Sequence, residues 1–204
     1  MTDADYRGGI YDGAYQGAPG AFSEDASRTL LGSAATLLPC NSLEDVFRAV
    51  ADGRASCGVV PTSNSIAGAV PDVDALLQRH AVRMRGEISV RISQALVGLG
   101  GAKVSDIRRV FSHPVALAQC RRFFRSHPGM TPQPAFDTAG AVAELVLRGC
   151  GSDAAIASVR AAERWGATVL CEDIQDCADN FTRFVRIEHC PGVTSFGAEI
   201  SFAG

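Results

Sequence analysis

Short apolar runs of strand length alternate along this chain with segments that have the periodicity of helices. Apolar runs at 57–61 and 154–157 suit buried strands, whereas apolar residues at positions 43, 46, 47 and 50 recur at helical spacing. Such alternation is typical of α/β proteins with mostly parallel sheets. We therefore predict an α/β fold, for which 47% hydrophobic residues supply a sizeable core.

Local patterns place most of the elements of this fold. Helical spacing predicts helices over 42–50, 72–80, 114–124, 138–147 and 159–165. Apolar runs and alternation predict strands at 57–61, 88–92, 104–111, 154–157 and 184–187. Ser42, followed three residues later by Asp45, predicts a capped start for the first of these helices. Residues 190–204 carry little pattern, and we expect a short tail or an edge strand there.

The charge balance and the lengths of the apolar runs argue against two classes of partner. Nineteen Lys and Arg residues against 22 Asp and Glu give a net charge of −3, which does not suit the positive face of a nucleic-acid binder. No apolar run approaches the ~20 residues of a membrane span. Residues 1–9 lack the basic start and apolar stretch of a signal peptide, so we expect a cytoplasmic protein.

The cysteines and histidines do not form a metal-binding pattern. The seven cysteines are odd in number, and no two of them have the two-residue spacing of a zinc or redox motif. The four histidines are too far apart to share one helical turn. We predict free thiols in a reducing compartment and no structural metal.

Two polar strings lie in the first third of the chain. Residues 15–26 combine a tight Gly/Pro turn with a helix predicted to start at Ser23, whose free N–H groups suit a carboxylate or phosphate. The alternative is an ordinary capped helix. Asn64 and Ser65 follow the buried strand 57–61, where α/β proteins bind ligands. They could equally form a turn that caps the next helix.

Two further strings lie later in the chain. In residues 111–120, Ser112 and Gln119 are seven apart, which predicts two turns along one helical face. His113 has the chemistry of an acid or base, but we favour a structural hydrogen bond for a histidine before proline. In residues 180–184, Arg183 is either a fork for a carboxylate or an exposed loop residue.

Taken in order, these four strings resemble the motifs of the prephenate dehydratase family. The resemblance includes Gly86-Glu87, Asp137-Thr138-Ala139 and the AAIAS string at 154–158, and it spans about 15–187. It implies a two-lobed α/β fold of the periplasmic-binding-protein type (type II), with the active site in the cleft between the lobes. The first lobe is expected to hold 1–82 and 166–204, and the second 83–165.

The resemblance also implies the roles of individual residues. The threonine of the TRF string, here Thr182, is expected to be catalytic. Substrate-binding residues are expected to be Ser23, Asn64, Ser65, Ser112, Gln119, Thr138, Arg183 and Phe184. Prephenate loses CO₂ and its ring hydroxyl, so the enzyme must hold two carboxylates and donate a hydrogen bond to the leaving group. Helix starts at Ser23 and Ser112, together with Arg183, would hold the carboxylates. No cofactor or metal is implied.

Two departures separate this chain from the family pattern. Ser63 stands where the family has a glutamate, which removes a candidate proton relay or orienting charge. Glu87 or another acid in the cleft is a candidate replacement. Only 20 residues follow Phe184, so we expect no ACT regulatory domain and no phenylalanine feedback through one.

Three functions are compatible with these residues. The first is a carbon–oxygen lyase that converts prephenate to phenylpyruvate, or arogenate to phenylalanine. The second is a sibling in specialised metabolism, either a non-aromatising prephenate decarboxylase or a tailoring enzyme on a shikimate-derived or tropone-type ring. The third is a non-catalytic module that binds a small acid. The expected partner is a small cyclic dicarboxylate, and the family resemblance implies a homodimer.

Overall fold

Two sheets with flanking helices form residues 10–190, the part of the chain that the computed structural model describes. The expected tail or edge strand after residue 190 lies outside this range, as do residues 1–9. The strands are β1 (Gly13–Gln16), β2 (Leu37–Cys40), β3 (Cys57–Asn64), β4 (Gly68–Ala69), β5 (Val82–Arg91), β6 (Ala95–Gly98), β7 (Arg109–Ser112), β8 (Thr131–Pro134), β9 (Asp153–Ala157), β10 (Thr168–Cys171) and β11 (Phe181–His189). The α-helices are α1 (Phe22–Leu31), α2 (Leu43–Ala51), α3 (Val73–Arg79), α4 (Pro114–Ala118), α5 (Arg121–Ser126), α6 (Thr138–Arg148) and α7 (Val159–Trp165), with a 3₁₀ turn at Val104–Asp106.

Each sheet is the centre of one lobe, which confirms the two-lobed α/β fold. The first sheet has the order β2-β1-β3-β11-β5, with β4 paired to β3, and the second has the order β10-β6-β9-β7-β8. Of the nine strand pairings in residues 10–190, five are antiparallel and four are parallel. The expectation of mostly parallel sheets was therefore wrong. The chain crosses directly from β5 to β6. β6 therefore starts at the end of the second sheet where the parallel strands β7 and β9 finish.

Local sequence patterns predicted the helix and strand at the centre of the first lobe correctly. The side chain of Ser42 accepts the N–H of Asp45 at 3.1 Å, and Asp45 in turn accepts the N–H of Ser42 at 3.1 Å. This reciprocal cap starts α2 as predicted. Val46 and Phe47 on the apolar face of α2 are fully buried, and they pack in one cluster with Val60 of β3.

Two of the strands that the sequence patterns missed are short, contain proline and lie at sheet edges. β2 contains Pro39, and β8 contains Pro132 and Pro134. Both strands are outermost in their sheets. Proline cannot donate to a neighbouring strand, so it is tolerated at a sheet edge and weakens the strand signal in the sequence.

The helix predicted over 114–124 is two helices. α4 ends at Ala118, with Gln119 as its C-terminal cap, and α5 starts at Arg121. The carboxylate of Asp176, distant in the chain, accepts the N–H groups of Arg121 at 3.1 Å and Arg122 at 2.8 Å. A tertiary contact therefore starts α5, which no local pattern could show.

The boundaries between the lobes lie later in the chain than expected. β5 continues to Arg91 in the first sheet, and β10 at 168–171 belongs to the second sheet. The chain thus crosses between lobes at 92–94 and returns at 172–180, and the expected boundaries at 82 and 166 are corrected. β5 pairs with β11 along its whole length. The sequence pattern predicted only its second half, because the charged residues Arg83, Arg85 and Glu87 leave no apolar alternation in the first half.

Candidate functional site

The two crossing segments are hydrogen-bonded to each other between the lobes. The N–H of Ile92 donates to the carbonyl of Asn180 at 2.8 Å, and the N–H of Ile174 donates to the carbonyl of Gln94 at 3.0 Å. β3 ends and β11 begins on this side of the first sheet, and β7 and β9 end on this side of the second. We call the end of each sheet that lies beside the two crossing segments its cleft edge. The predicted site residues gather at these two ends.

A chain of three amide side chains runs from Thr182 in the first lobe to the second lobe. Asn64 Nδ2 donates to Thr182 Oγ1 at 2.9 Å and to Asn180 Oδ1 at 2.7 Å. Asn180 Nδ2 donates to Gln119 Oε1 at 3.1 Å. The structure thus brings together Thr182, Asn64 and Gln119, which the family resemblance singled out separately, and it adds Asn180 between them.

The other end of Asn64 is fixed by the backbone. Its Oδ1 accepts the N–H of Ile66 at 2.9 Å and the N–H of Ala67 at 2.8 Å. Asn64 is therefore the side chain of a tight turn after β3, and no helix follows it directly. Because Oδ1 is committed to these two donors, Nδ2 must face Thr182 and Asn180.

This arrangement determines what the Thr182 hydroxyl can do. Its oxygen already accepts a hydrogen bond from Asn64. Within residues 10–190 its own proton has no acceptor. A hydroxyl that accepts from one side and keeps its proton free is a preorganised donor for a bound ligand.

The hydroxyls of two predicted binding residues form hydrogen bonds within the protein. The Ser65 hydroxyl donates to the carbonyl of Asp179 at 3.1 Å and accepts the N–H of Phe181 at 2.9 Å, so it ties the start of β11 to the end of β3. Ser112 is fully buried, and its hydroxyl donates to the carbonyl of Ile156 at 2.6 Å. A direct contact of the Ser112 hydroxyl with a substrate is therefore corrected to a core hydrogen bond.

The expected shared helical face of Ser112 and Gln119 is also absent from the described residues. Ser112 ends strand β7, whereas Gln119 is the C-terminal cap of α4. The carbonyl of Gln119 accepts the N–H of Asp176 at 2.7 Å. Gln119 is thus held at its backbone by the return segment and at its side chain by Asn180.

Helix α1 begins differently from the prediction. It starts at Phe22, one residue before Ser23, and the residue before it, Ala21, makes no side-chain cap. The carboxylate of Glu24 instead accepts the N–H of Gly20 at 2.7 Å and pairs with Arg28. Burial opposes the ionisation of Glu24, but the Gly20 N–H and the Arg28 guanidinium outweigh it and hold the pKa below its usual value. The N–H of Ser23 has no side-chain partner in the described residues.

Three helices of the second lobe start at the cleft edge with side-chain caps of their own. His113 Nδ1 accepts the N–H of Val115 at 3.3 Å, which confirms the structural role predicted for it. Asp137 accepts the N–H of Gly140 at 2.6 Å, and Ser158 accepts the N–H of Ala161 at 3.0 Å. Thr138 is the first residue of α6, directly after the Asp137 cap.

The last two predicted residues are neighbours on β11 but lie in different surroundings. The Arg183 guanidinium pairs with Glu87, and both side chains are more than half exposed. Ser63 is the register partner of Arg183 on the neighbouring strand β3. Phe184 is only 2% exposed and packs with Ala26 and Val59, so its predicted contact with a substrate is corrected to a role in the core.

The loop before α1 connects the first lobe to α7 of the second. Trp165 Nε1 donates to the carbonyl of Pro19 at 2.9 Å, and Ser158 Oγ donates to the carbonyl of Gly20 at 2.9 Å. Gly20 has a φ of +95°, and a Cβ there would lie 2.6 Å from the Cα of Ala161. Only glycine allows this close approach of the two lobes.

Sequence patterns alone did not identify Asn180 or Asp176 as functional residues. Asn180 was visible as the first residue of the string that contains Thr182, but burial and bonding to both lobes cannot be read from that string. No group of three potential metal-ligating side chains occurs in the described part of the chain. The helices between residues 10 and 190 are also too short or too polar to span a bilayer.

Comparison with known proteins gives consistent matches over most of the chain. The family model for prephenate dehydratase matches residues 13–191. The bifunctional N-acyl-homoserine lactone acylase/prephenate dehydratase of Komagataeibacter europaeus is 41% identical over 172 residues, which are 84% of this chain and 60% of that protein. Arogenate dehydratase/prephenate dehydratase 2 of Arabidopsis thaliana, a chloroplastic protein, is 34% identical over 191 residues, which are 94% of this chain and 50% of that protein.

A solved structure agrees with these relatives. The prephenate dehydratase of Arthrobacter aurescens, solved in complex with L-Phe, superposes with a TM-score of 0.80 at 32% identity, covering 91% of this chain and 62% of that one. This chain spans 50% to 60% of the length of the two curated relatives. With the motif residues Thr182, Asn64 and Gln119 gathered at one cleft and a family model matching 13–191, the chain belongs to the prephenate dehydratase family, a family of carbon–oxygen lyases.

Proposed function

We propose that this protein catalyses the decarboxylating dehydration of prephenate or arogenate. The observation that carries the proposal is the Thr182 hydroxyl, whose oxygen accepts from Asn64 so that its proton is left for a ligand. Family membership supplies the substrate class, because the relatives at 41% and 34% identity are named for prephenate or arogenate dehydration.

The reaction needs a donor at the leaving hydroxyl. The bond between the ring and its carboxylate breaks to release CO₂, and the electron pair moves through the ring to expel the C4 hydroxyl. That group leaves as water after taking a proton, and the ring becomes aromatic. A threonine hydroxyl is a weak acid, so Thr182 acts as a hydrogen-bond donor to the developing hydroxide. One such donor is worth about 3–4 kcal/mol in the transition state.

The substrate carboxylates need N–H donors on both sides of the cleft. On the first lobe, the uncapped start of α1 at Phe22 and Ser23 offers backbone N–H groups and the positive end of the helix. On the second lobe, Gln119 and the start of α6 at Thr138 are the proposed contacts. Arg183 contributes positive charge at the same end of β11, although Glu87 offsets part of it.

Glu87 accounts for the serine at position 63. Ser63 is the register partner of Arg183, so a glutamate at 63 would lie beside that guanidinium. In this chain Glu87, on the strand at the other side of β11, pairs with Arg183 instead. We therefore propose that Ser63 is a tolerated change, since Arg183 keeps a carboxylate partner.

The first test is turnover of prephenate by the purified protein at neutral pH, followed by phenylpyruvate absorbance and mass analysis of the products. A parallel reaction with arogenate is analysed for phenylalanine. Formation of either product above the uncatalysed rate, lost in Thr182→Ala, supports the proposal. Prephenate consumed without phenylpyruvate, with a dihydro-hydroxy ring acid as product, would instead establish the non-aromatising decarboxylase.

Two other results would overturn the proposal. Thermal stabilisation by prephenate without turnover would identify a binding module; ligand at 100 times its Kd gives about 2.7 kcal/mol. If prephenate and arogenate neither react nor stabilise the protein, a panel of shikimate-derived and tropone-type ring acids becomes the substrate search.

A second candidate activity comes from the name of one relative. The Komagataeibacter europaeus protein is named as an N-acyl-homoserine lactone acylase as well as a prephenate dehydratase, and it is 41% identical to this chain. Incubation with an N-acyl-homoserine lactone, followed by mass detection of free homoserine lactone and fatty acid, tests this activity. No release by the protein at a concentration that turns over prephenate would exclude it.

We also propose a cytoplasmic homodimer. The seven cysteines, all between residues 40 and 190, are unpaired thiols, as a reducing compartment favours. Burial raises the pKa of Cys40 to about 11 and that of Cys120 to about 12, so these two thiols are unreactive at neutral pH. Light scattering after size exclusion gives the oligomeric state, and cell fractionation gives the compartment.

A further inference from the structure

Asn180 lies where both lobes and both crossing segments meet. It is fully buried, and it sits at the end of the return segment 172–180. Its carbonyl accepts the N–H of Ile92 in the other crossing segment at 2.8 Å. Its side chain accepts from Asn64 in the first lobe at 2.7 Å and donates to Gln119 in the second at 3.1 Å.

The hydrogen bonds of this chain of amides have only one consistent direction. The backbone N–H groups of Ile66 and Ala67 both donate to Asn64 Oδ1, so Asn64 Nδ2 must donate to Asn180 Oδ1. Asn180 Nδ2 is then the group that faces Gln119, and it requires an acceptor. Gln119 meets that requirement with Oε1, and its Nε2 is left to face elsewhere.

The free end of Gln119 is therefore a donor and never an acceptor. Gln119 is half-buried, and its Nε2 finds no acceptor among residues 10–190. An amide N–H is attractive to a carboxylate or hydroxyl oxygen of a ligand, whereas an amide oxygen in the same place repels a carboxylate.

We propose that Asn180 is a positioning residue that fixes the orientation of the Gln119 amide, so that Nε2 faces an anionic group of the ligand. The inference rests on the proposed function for the identity of that ligand. Asn180 does not touch the ligand in this scheme; it acts through Gln119.

The isosteric variant Asn180→Asp tests this step. Aspartate still accepts from Asn64, so Thr182 keeps its orientation, but an ionised carboxylate cannot donate to Gln119. The Gln119 amide then rotates to donate to Asp, and its oxygen faces the substrate. We expect KM for prephenate to rise roughly 10- to 100-fold, the value of a hydrogen bond to a charged group, with kcat changed less than about threefold.

The control is Gln175→Glu, which places the same charge change on the same return segment. Gln175 accepts the N–H of Gln94 through Oε1, a bond that a glutamate keeps, and donates from Nε2 to Asp173 Oδ1 at 3.1 Å, a bond that a glutamate loses. The control thus combines the same charge change with the same loss of an amide donor, away from Gln119. We expect its KM to equal that of the wild type. Asn180→Ala, which buries no new charge, serves if Asn180→Asp does not fold; free rotation of Gln119 should then raise KM roughly 3- to 10-fold.

A double-mutant cycle with Gln119→Ala separates positioning from a general structural effect. If Asn180 acts through the Gln119 amide, the Asn180 variant has no further effect on KM once that amide is removed. An equal rise in KM in both backgrounds would overturn the inference. A loss of kcat with KM unchanged would overturn it too.

Calorimetry of phenylpyruvate binding to the four proteins of this cycle separates the two proposals. The four are the wild type, the Asn180 variant, Gln119→Ala and the double variant. If the wild type binds phenylpyruvate but turns over neither prephenate nor arogenate, the proposed function fails, and the same cycle in Kd decides the inference. If the wild type is active and the cycle is additive, only the inference fails. A wild type that neither reacts nor binds overturns both.

Discussion

The two lobes present different kinds of groups to the cleft between them. On the first lobe, α1 begins without a side-chain cap, and the Thr182 hydroxyl keeps its proton free because Asn64 donates to its oxygen. On the second lobe, His113, Asp137 and Ser158 each cap the helix that follows them. The first lobe thus offers unsatisfied donors, while the second has mostly satisfied its own.

This difference shows that helix starts at a cleft edge are not equivalent as anion sites. A side-chain cap uses an N–H group that a ligand would otherwise bind, so a capped start has less to offer. At Ser112 the hydroxyl is buried and the helix that follows is capped by His113, so this helix start has less to offer an anion than the start of α1. In the second lobe, the Gln119 amide at this edge keeps a donor free.

The largest expected effect is at the donor of the first lobe. Thr182→Ala should lower kcat for prephenate about 100- to 1000-fold, because it removes a hydrogen bond made to the leaving hydroxyl in the transition state. Thr182→Ser keeps the hydroxyl and should retain most of the activity. Thr168→Ala, an exposed threonine in the second lobe, is the matched control. Turnover by Thr182→Ala within threefold of wild type would contradict the role of Thr182.

The next effect concerns the residue that orients this donor. Asn64→Asp keeps an oxygen for the N–H groups of Ile66 and Ala67 but loses the N–H that Thr182 accepts. The Thr182 hydroxyl then donates to the new carboxylate instead of the substrate. We expect kcat to fall roughly 10-fold. Steady-state kinetics measure it, with the exposed Asn41→Asp as the control; an unchanged kcat would show that the proton of Thr182 is not directed by Asn64.

A third variant tests the second lobe. Ser112→Ala should lower the free energy of unfolding by about 1 kcal/mol, since it removes the buried hydrogen bond to the Ile156 carbonyl. KM should stay unchanged. Ser23→Pro on the first lobe removes the backbone N–H offered to a carboxylate and should show the opposite, a raised KM with little loss of stability, because proline is tolerated in the first turn of a helix. Urea denaturation and steady-state kinetics measure both variants, and a raised KM in Ser112→Ala would restore its predicted role in binding.

The smallest effect is at the ion pair that joins the lobes. Asp25 of α1 lies 2.8 Å from Arg160 of α7. Burial raises the pKa of Asp25, although Arg160 opposes the shift. A raised native pKa means that the folded state binds more protons between the two pKa values, so this contribution to stability grows as pH falls from 7 towards the unfolded value near ~4.

Asp25→Asn should remove this pH dependence. Wild-type Tm should therefore increase relative to the variant as pH falls from 7 to 4. Thermal unfolding across this range measures the difference, with exposed Asp52→Asn as the control. A wild-type Tm that falls relative to that of Asp25→Asn as pH falls would show that the pKa of Asp25 is lowered on folding instead.

The sequence patterns succeeded where the determinants are local or motif-bound. The capping box of α2 and the buried half of β3 follow from a few neighbouring residues. The family resemblance named Thr182, Asn64 and Gln119 as site residues, and the structure connects them through one chain of hydrogen bonds. Asn64 is the last residue of β3, Thr182 lies near the start of β11, and Gln119 caps α4.

The features that the patterns missed depend on distant parts of the chain. The burial of Ser112 and Phe184 is set by packing against Ile156 and Val59, which lie far from them in sequence. The role of Asn180 depends on both lobes. No window of neighbouring residues contains these contacts, so periodicity and propensity could not reveal them.

The cap that Asp176 provides for α5 has a consequence for the order in which the chain can fold. The donor at Arg121 and the acceptor at Asp176 are 55 residues apart. A nascent chain that has emerged only as far as β10 therefore holds every strand of the second sheet but not the group that starts α5. The cap of α5 can therefore form only once the return segment 172–180 has been made, when the chain is already on its way back to the first lobe.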